Sequence, residues 1–86
     1  MSEIYRYEVP VDDQWHRIEL RGEVLHVATR SVNKVELWAV HHADRLALVW
    51  DFRVYGTGHP LPADVYHVGT ALTGPYVRHL MRRAAS

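Results

Sequence analysis

Val35-Glu36-Leu37-Trp38-Ala39-Val40-His41-His42-Ala43-Asp44-Arg45-Leu46-Ala47-Leu48-Val49-Trp50-Asp51-Phe52-Arg53-Val54-Tyr55 carries the period-two pattern of a strand twice, on either side of a short polar break. With Ala43-Asp44 as a two-residue turn, Val35 pairs with Phe52, Leu37 with Trp50, Ala39 with Leu48 and His41 with Leu46, all on one core face. The opposite face presents Trp38, Val40, Ala47 and Val49, with Glu36 beside Asp51 at its end. A ribbon that is apolar on both faces has to be covered on both, here by the rest of a sheet and by a terminal helix or a second subunit. Trp38, Val40, Ala47 and Val49 are therefore the candidate interface of a homo-oligomer.

Outward from this ribbon, β-branched and aromatic residues dominate from Ile4 to Ala71, and turn residues divide them at short intervals. Strands are expected near Ile4–Val9, Trp15–Leu20, Val24–Arg30, Val35–His41, Leu46–Tyr55 and Val65–Leu72. Turns fall at Asp12-Asp13-Gln14, Arg21-Gly22, Asn33-Lys34, Ala43-Asp44 and Gly56–Asp64. After Pro75 the period changes. Val77, Leu80, Met81 and Ala84 share one helical face, and Arg78, His79, Arg82 and Arg83 lie opposite or at the end, where positive charge suits a helix dipole. The expectation is a mainly β fold, one small antiparallel sheet, open barrel or sandwich of about six strands, with a C-terminal helix over about 75–84. No repeat or linker divides the chain, so residues 1–86 are read as a single domain.

The 86 residues include no cysteine, which excludes a disulfide scaffold, a thiolate metal site and a cysteine nucleophile. Ten basic and ten acidic residues cancel, against a general affinity for duplex nucleic acid or anionic membrane. No apolar run approaches the ~20 residues of a spanning helix and the start lacks a signal-peptide core, so a cytoplasmic protein is expected.

Chemistry concentrates in Gly56-Thr57-Gly58-His59-Pro60-Leu61-Pro62 and in His67-Val68-Gly69-Thr70. The glycines tolerate positive φ, the prolines hold His59 and Leu61 extended, and successive N–H groups can cradle an anion beside His59. Gly56, Thr57, Gly58, His59, His67 and Thr70 are thus the candidate residues for a small anionic, nucleotide-like ligand. The same loop also reads as a structural connection that needs glycine for shape and proline for rigidity. With strands five and six as neighbours, His67 faces Val54, Gly69 faces Phe52 and Ala71 faces Trp50, which turns His67 into the core. Seven histidines show no metal-ligating spacing, and His41 and His42 point to opposite faces of a strand. Glu36 and Asp51 are the remaining candidate acid/base pair, and no nucleophile motif accompanies them. Catalytic residues, metal and cofactor are each read as none.

The blocks Val9-Pro10-Val11-Asp12-Asp13-Gln14-Trp15-His16, Val35–Val40, Arg53–Pro62 and His67–Leu72 together resemble a family of short actinobacterial and actinobacteriophage proteins, a domain of unknown function. The resemblance covers nearly the whole chain. It implies a small accessory protein of the bacterial or phage-infected cytoplasm, with Gly-Thr-Gly-His-Pro as a signature. Three functions follow: a non-catalytic module binding a small anion or a host protein, a structural homo-oligomer, and a small metal-dependent or acid/base hydrolase.

Overall fold

In the computed structural model, which describes residues 1–85, the alternation is realised as β1 (Ser2–Pro10), β2 (His16–Leu20), β3 (Val24–Ala28), β4 (Lys34–His42), β5 (Leu48–Gly56), β6 (Tyr66–Thr73) and β7 (Tyr76–Ala84). Two antiparallel sheets result, the first ordered β1-β4-β3 and the second β2-β5-β7-β6. They face each other as a sandwich, with β1 against β5 and β3 against β6. Val9, Val27, Val35, Leu37 and Ala39 from the first sheet meet Leu20, Phe52, Val54, Ala71 and Leu80 from the second. Gly69 permits the closest approach of the layers, since a Cβ there would lie 2.6 Å from Val27.

The C-terminal helix is not formed. Thr73 pairs with Tyr76, so Gly74-Pro75 is a two-residue hairpin turn, and Gly74 at φ 55° occupies the position where such a turn requires positive φ. Pro75 closes this turn and starts no helix. The apolar set that falls on one helical stripe instead divides between two sheet faces: Leu80 (0 % exposed) points into the sandwich and Met81 (6 %) out of it. The strand wins because as β7 it lies between β5 and β6, completes the pairing of β5 and supplies the one ladder that β6 makes.

The central ribbon is not a hairpin either. β4 pairs with β1 and β3, and β5 with β2 and β7, so residues 43–47 carry the chain from one layer to the other. Val35 is opposite Val9, not Phe52, and Phe52 is opposite His16 and Arg82. Each strand is the apolar centre of its own sheet, with its core face packed against the opposite layer and its outer face mixed in polarity. Glu36 and Asp51 consequently lie on the outer faces of different sheets and form no pair. Trp38 and Val40 sit on the outer face of the first sheet, Ala47 in the link and Val49 on the outer face of the second, so the four share no surface.

β7 also separates β5 from β6. His67 is opposite Met81 and Gly69 opposite Leu80, with a bulge at Val68 between them. His67 is exposed on the outer face, away from the core position that direct pairing with β5 implies. Since β5 and β6 are both antiparallel to β7, they run parallel to each other, and parallel neighbours need a crossover connection. Residues 57–65 provide it. They return from the Arg78 end of β7 to its Arg82 end, roughly 13 Å along the strand at ~3.3 Å per residue.

Candidate functional site

Gly56 starts this crossover as the first residue of a β-turn. The N–H of His59 donates to the Gly56 carbonyl at 3.2 Å, and Gly58 at φ 90° supplies the positive φ of a type II turn. The His59 ring folds back so that Nδ1 accepts from the Gly56 N–H at 3.2 Å, which leaves Nε2 to carry the proton of the neutral ring. The Gly56 N–H, read from the sequence as part of an anion cradle, is thus occupied by the loop's own histidine. Pro60 and Pro62 then extend the chain over the outer face of the second sheet.

The overhang makes a cleft of about 330 Å³. Tyr55 and Met81 form its floor, Gly58, His59 and Leu61 its lip, and Thr57, His67 and His79 its polar wall. The wall is one hydrogen-bonded chain. Thr57 Oγ1 and His79 Nε2 are 2.8 Å apart, His79 Nδ1 and Thr70 Oγ1 3.0 Å, and Thr70 Oγ1 and His67 Nε2 2.9 Å. The Thr70 hydroxyl thus stands between the two imidazoles, and Thr57 closes the other side of His79. Of the six sequence-predicted ligand residues, Gly56, Thr57, Gly58, His59 and His67 line the cleft directly, and Thr70 acts through the two histidines.

Sequence reading missed His79 and Met81 by placing them on a helix, and gave Tyr55 no role beyond the end of a strand. It also missed the cationic surface next to the cleft. Arg53, paired with Met81, lies over the rings of Tyr55 at 4.8 Å and Trp15 at 6.0 Å, and Arg83 lies over Trp15 at 3.9 Å. Arg53 Nε is buried without a hydrogen-bond partner, and neither guanidinium has a carboxylate partner among the described residues. Asp51, the nearest acid along β5, is taken by Arg17 at 3.4 Å. The available signal was weak: Arg53 and Arg83 stand far apart in the chain, and Trp15 belongs to the turn before β2, so only the tertiary pairing brings them together.

The chain matches along residues 1–86 the family model described as a domain of unknown function, DUF7352. It belongs to that family. No curated protein and no solved structure is significantly similar to it. For this DUF7352 protein, therefore, chemistry has to be argued from its own residues. Among those described, no group of three or more His, Asp or Glu side chains is placed to hold a metal ion, since His67 and His79 meet through a hydroxyl. No helix is long and apolar enough to cross a membrane.

On the other outer face, the Glu36 carboxylate is 1 % exposed and receives Arg30 Nε at 2.8 Å, Arg30 Nη2 at 2.7 Å and Arg6 Nη1 at 2.5 Å. The Arg30 hydrogen bonds, joined by those from Arg6, hold its pKa down to about 2. It is a structural ion cluster and offers no acid or base to a substrate.

Proposed function

We propose that this protein is a non-catalytic binding module that takes a small, nucleotide-like anion on the outer face of its second sheet. The flat part of the ligand lies on Tyr55 and Met81 beneath the Gly56–Pro62 loop, with the histidine and threonine wall supplying hydrogen bonds. The anionic group points toward Arg53 and Arg83. The observation that carries this reading is the pair of guanidiniums held on Tyr55 and Trp15 without a carboxylate, one cross-strand step from an open cleft. Stacking uses the face of a guanidinium and leaves its edge donors for a phosphate.

The polar wall supports binding over catalysis. An activated hydroxyl nucleophile has a carboxylate behind its imidazole, and His79 has the Thr70 hydroxyl there instead. The test is calorimetric titration with ADP and with pyrophosphate. Saturable binding of ADP is expected, weakened about tenfold or more by Arg53→Gln, since one charge-assisted hydrogen bond contributes roughly 1.5–3 kcal/mol. His59→Ala, which removes one side of the lip, should weaken ADP more than pyrophosphate. ADP binding equally to the parent and to both variants would place the ligand elsewhere.

A further inference from the structure

The sandwich is closed at one end and open at the other, and two arginines of β7 mark the difference. Arg78, Leu80 and Arg82 share the core-facing side of that strand. At the closed end Arg78 reaches across the layers and donates from Nη2 to the Val32 carbonyl at 3.1 Å. At the open end Arg82 lies 4.4 Å over the Trp50 ring; its Nε is buried and unpartnered, as is that of Arg78, and the contact across the layers is Arg78's. No carboxylate engages Arg82 among the described residues.

Burial along the core-facing side of β5 follows the same gradient. Val54 and Phe52 are 4 % and 0 % exposed, whereas Leu48 at the end of the row is 61 % exposed although it pairs with the buried Leu20. The first sheet stops short of covering it. What remains is a cleft of about 430 Å³ between the layers, with apolar walls from Leu20, Val24, Leu48, Trp50 and Val68. Leu46, 90 % exposed, stands at its rim. The rim is cationic: Arg21, Arg45 and Arg82 against the single acid Glu23. Arg21 is held by the Arg45 carbonyl and by Glu19, and Arg45 and Arg82 line the cleft with no acid paired to them among the described residues.

We propose that this mouth is a second ligand site, for an amphipathic anion with an aliphatic chain and a carboxylate head. The chain continues the core between Leu20, Leu48 and Trp50, and the head pairs with Arg82 and Arg45. The volume is that of a small-molecule site, and a sheet opening that buries apolar walls under a few charged groups is the usual form of one. An uncharged chain would leave two guanidiniums beside it unpaired, and a short inorganic anion would leave the apolar walls wet. The site is separate from the cleft under the Gly56–Pro62 loop, and His67 borders both.

The test is titration of the full chain with octanoate, decanoate and decanol, each below its micelle-forming concentration, followed by tryptophan fluorescence and calorimetry. Decanoate should bind at a single site, more tightly than octanoate by about three- to fourfold per added methylene. Arg82→Gln should weaken decanoate about tenfold and leave decanol unchanged. Leu48→Glu, at an exposed position that leaves the fold intact, should abolish binding of both. Arg53→Gln, which removes the anion contact of the other cleft, should leave decanoate affinity as in the parent, so the two sites fail or succeed independently. Absence of saturable decanoate binding, equal binding of decanoate by the Arg82→Gln variant, or a dimer in solution with Leu48 and Trp50 covered would each overturn the assignment.

Discussion

The two outer faces of the sandwich hold the same types of side chain and pair their charges to different extents: the second has the Arg17–Asp51 ion pair yet leaves two of its arginines without one. On the first sheet each arginine or lysine closes on an acid: Arg30 and Arg6 on Glu36, Lys34 on Glu8. On the second sheet Arg53 and Arg83 lie on the rings of Trp15 and Tyr55 and close on no acid among the described residues. An ion pair consumes the donor edge of a guanidinium, whereas an aromatic ring occupies only its face. The first face is therefore finished as it folds. The second still offers charge and hydrogen-bond donors beside a cleft. Net charge, which is zero for the whole chain, conceals this division.

Breaking the finished face should have the largest effect. Glu36→Ala leaves Arg6 and Arg30 without their shared acceptor, and the melting temperature should fall by several degrees in calorimetry at neutral pH. The pH dependence has a defined sign. Glu36 has a folded pKa of about 2 against an ordinary 4.5, so its contribution is complete above about 4.5 and disappears as pH falls toward 2. Glu8, lowered chiefly by its hydrogen bond to Lys34, and Asp12, lowered by His16, act in the same direction. Thermal melts from pH 7 to pH 2.5 should show a steep acid arm in the parent and a shallower one in Glu36→Gln. An identical acid arm in both would remove Glu36 from this role.

Gly58→Val tests the lip of the second face. A β-branched side chain at φ 90° costs about 1–3 kcal/mol, which urea denaturation should report as a lowered midpoint with the slope retained. Arg53→Gln and Arg83→Gln sharpen the comparison further. They remove no ion pair but give up the guanidinium contacts with Trp15 and Tyr55, so stability should fall by only about 0.5–1 kcal/mol while ADP affinity drops. Arg30→Gln on the first face should do the reverse, with lower stability and unchanged ADP affinity. Thr70→Val should have the smallest effect. It interrupts the Thr57–His79–Thr70–His67 chain at an exposed position, and nuclear magnetic resonance of the two imidazoles should show changed proton exchange with near-parental stability.

The cleft is partly legible in the sequence. Glycine and proline spacing marks residues 56–62 as a shaped loop, and five of the six residues proposed for it line one cleft. Its purpose is not legible there, because the need for a crossover arises only once β7 lies between β5 and β6. His79 and Met81 are lost for the same reason: Val77, Leu80, Met81 and Ala84 suit a helix face as readily as they suit two faces of a strand.

What this sequence determined by itself is where its strands run and where the chain turns. Six of the seven strands follow from a period of two, within two residues at every end, because alternation is a property of the strand itself. Tertiary structure alone decided which strands are neighbours. Alternation states which face a side chain takes and says nothing about which edge lies alongside, so Val35–Val40 and Leu48–Tyr55 suit one hairpin and two separate sheets equally well. Contacts between residues far apart in the chain settled that choice. β4 and β5 went to different layers and each gained two partners in its own sheet, β7 came to lie between β5 and β6, and Glu36 and Asp51 were thereby placed on opposite faces of the sandwich.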